Sequence, residues 1–158
     1  MTIEEIKDMS NKHDVKESYL SLANLINVMK RFDTNPSMDN LDELTFTIKT
    51  SLYPYPLPSG EKGNALAAAL ELQMYQSALA IIKNSQDLKI DLNNILTTKP
   101  NISAQSLFNY SLSYFNMAVT KEQERDLSLL PNALRRIKNN ILAVSAIQEE
   151  LNNKSIKR

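Results

Sequence analysis

The chain of 158 residues has no cysteine, no tryptophan, two glycines and one histidine. Without cysteine there is no disulfide, no thiolate nucleophile and no cysteine-ligated metal, which suits a reducing compartment without requiring one. A single histidine, His13, cannot build a histidine-pair metal site, and any serine–histidine nucleophile pair would rest on it alone. Its place near a helix start reads as solvated or capping. Long apolar runs are missing too, and the opening MTIEEIKDMS is polar and acidic, unlike a basic-then-apolar secretory leader. The expectation is a chain soluble where it is made, in the cytoplasm. Net charge is also absent: 18 basic and 18 acidic residues cancel, so no global field draws nucleic acid or an anionic membrane.

The cancellation hides a gradient. Residues 1–60 hold nine acidic and six basic side chains, 61–120 four of each, and 121–158 five acidic and eight basic. A basic tail accounts for this, or the two ends attract each other or a second copy.

What is present is helical periodicity. Apolar residues recur at spacings of three and four almost throughout, and scarce glycine leaves few breaks. The pattern predicts an all-α fold, a compact bundle of about six helices. A short helix is expected near Ile3 to Met9. Asp14 and Glu17 then resemble a capping box that opens a second helix to about Phe32, with Val15, Tyr19, Leu22, Ile26 and Met29 inward. DTNPS ends it, because proline disfavours helical geometry in the residue before it, and Ser37 is placed to cap the next helix, about Met38 to Leu52.

LYPYPLPSGEKG, Leu52 to Gly63, holds three of the six prolines and both glycines. Prolines at 54, 56 and 58 lack the i, i+3 spacing of an SH3-type ligand, so the stretch reads as a stiff extended spacer. It is the seam (54–63) between an N-terminal helical part (1–53) and a C-terminal one (64–152), with 153–158 a flexible tail. Beyond it, NALAAALELQ and YQSALAIIKN form two short helices or one longer one. DLKIDLN is a brief extended segment, or a connection held by apolar contacts. Ser103 caps a helix from about Ala104 to Val119, apolar nearly all round and therefore central. Thr120 with Gln123 opens another turn, and Pro131 sits in the first turn of a last helix with Leu134, Ile137, Ile141, Val144, Ile147 and Leu151 along one side.

Catalytic signatures are absent. PSGEKGNA has glycine and lysine, but its glycines are too close for a phosphate loop and no strand precedes it. The carboxylate pairs Glu4/Glu5, Asp42/Glu43 and Glu149/Glu150 are adjacent, so helix geometry points each pair about a hundred degrees apart. Four of ten aromatics, Phe108, Tyr110, Tyr114 and Phe115, fall within eight residues: core, or a partner-binding face. No basic residue interleaves them, which argues against base stacking. The partner-binding candidates are Tyr53 and Tyr55 on the proline stretch, Tyr110 and Tyr114, and Arg135 and Arg136 on the polar side of the last helix. No catalytic residue, cofactor or metal is expected.

GNALAAALELQMYQSALAIIKNSQDL, Gly63 to Leu88, resembles one ankyrin repeat. Gly63 and Asn64 fall at the family's opening turn, Leu66 and Ala69 at its first-helix packing positions, Ile81 and Ile82 at its paired leucines, and Asp87 and Leu88 at its close. The family's Thr-Pro-Leu-His is replaced by Asn64-Ala65-Leu66-Ala67, and its glycines between and after the helices by Gln73 and Ser85. The match covers 26 residues, and a lone repeat cannot bury its own face, so the flanking helices act as caps or the fold is a plain bundle. The resemblance implies protein binding. The C-terminus AIQEELNNKSIKR, with Glu149, Glu150, a polar basic tail and Ile156 third from the end, is similar to export signals of Dot/Icm type IV effectors.

These features together lead to an expected noncatalytic protein-binding domain, a bacterial secreted effector or a regulator of one, acting through a helical face on another protein. The alternatives are a structural helical protein that self-assembles through Leu134 to Leu151, and a small enzyme without a recognisable motif.

Overall fold

The computed structural model describes residues 2–52, 54–123 and 131–156, the side chains of 4–15, 118–123, 131–139 and 155–156 excepted. Six helices make up the described residues: α1 (Ile3–Thr34), α2 (Met38–Lys49), α3 (Ala65–Glu71), α4 (Tyr75–Lys83), α5 (Ala104–Gln123) and α6 (Pro131–Ile156). A two-stranded hairpin, β1 (Tyr55–Pro56) and β2 (Lys62–Gly63), lies between α2 and α3. The protein is an all-α bundle with this one small β addition.

α1 is a single helix where two are expected, and Asp14 and Glu17 lie inside it. No proline or glycine occurs before Pro36, so nothing stops propagation, and each added residue gains a backbone hydrogen bond that an internal cap would forfeit. Among the described side chains of α1, Leu25, Val28, Met29 and Phe32 are buried, while Tyr19, expected inward, is exposed. Ser37 caps α2 as expected, its hydroxyl accepting the Asn40 N–H at 3.2 Å. α2 stops at Lys49, and Leu52, expected on its inner stripe, is 84% exposed. The prolines from 54 onward hold the chain extended and unwind the turn before them.

In the proline stretch, Tyr55 pairs with Gly63 and Pro56 with Lys62, antiparallel. The Leu57 N–H donates to Glu61 O at 2.8 Å, so residues 55 and 57 face β2. Strand period two then puts prolines 54, 56 and 58 on the opposite edge, where their missing N–H groups forgo no bond and block further strand pairing. Gly60 closes the turn at φ 91°. On the far side of β2, Thr97 N–H donates to Lys62 O at 2.8 Å and Gly63 bridges Leu96.

α3 and α4 are separate helices, broken at Gln73 with φ 56°. α3 is enclosed on every side, Ala65 to Leu70 all buried, as befits a segment with no polar face. Its alanines let α4, α5 and β2 approach closely. Asn64 caps α3 by accepting the Ala67 N–H at 3.0 Å. α4 packs in turn on α1 and α6, so the pair forms the centre of the bundle. DLKIDLN forms no strand; it is held by buried Leu88 and partly buried Ile90 and Leu92.

α5 runs to Gln123 without the break expected at Thr120, and α6 starts at Pro131 as expected. α6 folds back on α4 through Ala143, Ile147 and Leu151, while Ile141 is exposed. It continues through 153–156, which the sequence suggests is a tail.

α4 has no side-chain cap of its own at Met74. Asp33 from α1 supplies one: its carboxylate accepts the Ser77 N–H at 2.8 Å and also bonds the Ser77 hydroxyl. That hydroxyl lies 3.2 Å from Met29 O as well. Burial pushes the Asp33 carboxyl above its ordinary value, with the two Ser77 bonds opposing.

Candidate partner-docking site

The site is built on α5. Ser103 caps this helix, accepting the Ser106 N–H at 3.1 Å. The inward line of Ala104, Leu107, Phe108, Ser111 and Phe115 is buried. Tyr75 of α4 locks it, meeting Phe108 and Phe115 edge-on at centroid distances of 6.4 and 5.3 Å and sharing a buried hydrogen bond with Ser111. Burial pushes the Tyr75 phenol up, and Ser111 opposes. With rotation of the helix set in this way, the remaining aromatics face out. Tyr110 is 61% exposed, Tyr114 51% and Met117 56%, a line at i, i+4 and i+7.

Tyr110 and Tyr114 stand as an edge-to-face pair, centroids 5.3 Å apart at 69°, with their hydroxyls 3.0 Å apart. That hydrogen bond is the first cause raising the Tyr110 phenol; the field of Glu71 adds to it. The pair borders a groove of about 800 Å³ between α5, the end of α3 and the hairpin turn. Glu71 and Glu61 line it, with Lys99 beside them. Both Glu71 oxygens are fixed by Ser59, Oε1 accepting its N–H at 3.0 Å and Oε2 its hydroxyl at 2.9 Å. Glu61 bonds the Thr98 hydroxyl and pairs with Lys99 at 3.2 Å, and these contacts, Thr98 first, hold its carboxyl below the ordinary value.

The chain matches no protein-family model, no curated protein and no solved structure. The site is therefore read from its own residues. The structure brings Tyr110 and Tyr114 together at one surface. Tyr55, expected to meet a partner, is 3% exposed and packs beneath the hairpin; burial pushes its phenol up, with Ser51 opposing. It fails as a docking residue because strand alternation turns its side chain inward, as the outward positions belong to the prolines. Tyr53 lies outside the described residues, as do the side chains of Arg135 and Arg136, which belong to α6.

The sequence reading missed Glu71, Ser59 and Asp33. Glu71 carries a detectable signal, being the only charged residue between Lys62 and Lys83. A lone carboxylate at the end of an otherwise apolar helix marks the point where that helix reaches the surface. Asp33 gives no such signal, since its partner Ser77 is 44 residues away. Among the described residues no group of three or more histidine, cysteine, aspartate or glutamate side chains gathers as for a metal, and no helix is long and apolar enough to cross a membrane.

Proposed function

We propose that the chain is a noncatalytic protein-binding domain that docks another protein on the outward face of α5 and the adjoining groove. The observation that carries this reading is the exposed line Tyr110, Tyr114 and Met117 on a helix whose opposite face is locked by Tyr75. Tyrosine and methionine are enriched at protein interfaces, where large apolar area ends in a polar or adaptable tip. The groove beside them is open, and both oxygens of Glu71 in it are bonded by Ser59.

The acid–hydroxyl pair elsewhere, Asp33 and Ser77, links α1 to α4 with Ser77 fully buried, which favours a structural role over an enzymatic one. Self-assembly through Leu134 to Leu151 loses support because Ile147 and Leu151 are covered by the chain itself. The ankyrin-like reading of Gly63 to Leu88 gains support from Gln73, left-handed at a position where that family has glycine. It is weakened after α4, where Lys89 instead of Ser85 takes the left-handed conformation. In either case the helix pair is a scaffold that presents α5. The similarity of the C-terminus to type IV signals adds the reading of an exported effector. A translocation reporter fused to the chain would show loss of export on removal of residues 149–158; unchanged export would dismiss it.

The docking reading is tested by capture from bacterial and host lysates with the wild-type chain and with the double variant Tyr110→Ala, Tyr114→Ala. A protein retained by the first and lost by the second, at unchanged melting temperature, is the expected result. Equal capture by both sinks the assignment to this face.

A further inference from the structure

From the charge and geometry of the groove we infer that the docked partner presents a cationic side chain, arginine or lysine, over the Tyr110–Tyr114 pair and against the Glu71 carboxylate. The inference rests on the docking reading above and names the chemistry that this surface selects.

Glu71 is the group that decides it. Among the described residues no lysine, arginine or histidine pairs with it; the ion pairs are Arg31–Glu43, Lys49–Asp87, Lys99–Glu61 and Lys154–Glu150. Of the charges lining the groove, Glu61 is already answered by Lys99, which leaves Glu71 as the uncompensated one. Ser59 bonds both of its oxygens, which anchors the carboxylate without neutralising it and leaves a lone pair on each oxygen for a donor from outside. A carboxylate already held in place loses little entropy on forming that contact.

The tyrosines supply the second half. Aromatic faces carry negative potential and attract a cation within about 6 Å of the ring centroid, more strongly when Arg stacks its flat guanidinium on the ring. The edge-to-face arrangement at 5.3 Å turns the two ring planes toward different directions, forming a corner instead of a flat wall. The field of Glu71 already reaches this corner, since it contributes to the upward displacement of the Tyr110 phenol. An anionic partner would meet Glu71 and two electron-rich rings together, and an apolar one would strand the carboxylate.

The test uses the full chain and two small probes, N-acetyl-arginine amide and its uncharged counterpart N-acetyl-glutamine amide, followed by the ring resonances of Tyr110 and Tyr114 in NMR titrations. The arginine probe is expected to shift both rings with roughly millimolar saturation, while the glutamine probe leaves them unmoved. Glu71→Gln, which keeps an acceptor for Ser59, should weaken arginine binding about two- to fivefold. Lys99→Gln releases the Glu61 carboxylate into the same groove and should tighten binding about two- to threefold. Equal response to both probes, no response to either, undiminished binding in Glu71→Gln, or unchanged or weaker binding in Lys99→Gln overturns the inference. If Glu71→Gln captures the lysate partner as wild type does while the tyrosine double variant loses it, the cation assignment falls and the docking surface stands. Retention by both variants removes both.

Discussion

Asp33 is the most informative place to perturb this fold, because one carboxylate joins α1 to the N-terminus of α4. Asp33→Ala removes the acceptor for the Ser77 N–H, held at 2.8 Å, and for a serine hydroxyl in a fully buried residue. A hydrogen bond to a charged group contributes about 1.5–3 kcal/mol, and the loss of a capping acceptor costs about 1 kcal/mol. The relieved desolvation of the carboxylate offsets part of this, so a net loss of about 2–3 kcal/mol is expected. For a domain of this size that lowers the melting temperature by about 4–12 °C. Asp33→Asn keeps an oxygen acceptor of the same shape and should stay within about 1 kcal/mol of wild type.

The pH dependence carries an independent sign. The Ser77 N–H and hydroxyl both donate to the Asp33 carboxylate and favour its ionised form. Burial favours the neutral form more strongly, and the folded-state value lies above the unfolded one. The contribution of Asp33 is therefore fully present below the unfolded value and is lost as pH rises through the folded one. Chemical denaturation of wild type and Asp33→Asn across pH 3–7 isolates it: wild-type stability minus that of the variant should decline with rising pH. A difference that grows with pH, or an Asp33→Ala loss below about 0.5 kcal/mol, refutes the reasoning.

Gly63→Ala should destabilise by about 1–3 kcal/mol in thermal melts, because a Cβ there would stand 2.6 Å from Ile95 O, a backbone atom that cannot swing aside. Gln73→Gly should raise stability by up to about 1 kcal/mol, since Gln73 occupies φ 56°, where a side chain is strained and glycine is not; an unchanged or lower melting temperature would count against strain at that turn.

Helix content and the polar caps Ser37 and Ser103 were legible in the sequence, since each acts within three residues of itself. The break expected in α1 has a related reason: Asp14 and Glu17 have a local capping pattern, but a cap marks an end only where the preceding residues cannot continue the helix. The fate of the proline stretch depended on a partner strand and on Thr97, 35 residues from the Lys62 carbonyl it bonds, so spacing alone could suggest extension but not a hairpin. At the candidate site, the tyrosines announced themselves by clustering, while their outward direction came from Tyr75 on another helix. Tyr55 and Tyr110 are chemically alike in the sequence; only the tertiary surroundings decide that one is enclosed and the other displayed.

The enclosure of α3 also governs how the chain must be made. This most apolar helix lies mid-sequence, and the elements that cover it and α4 include α5 and α6, which come later. A ribosome adding about 5–20 residues per second reaches Leu151, the last buried contact of α6, roughly 3–14 s after it has finished α4 at Lys83. Throughout that interval the helix pair waits with its later-covered sides bare, a natural substrate for a chaperone that holds nascent chains, and truncated forms ending before α6 would keep that exposure permanently.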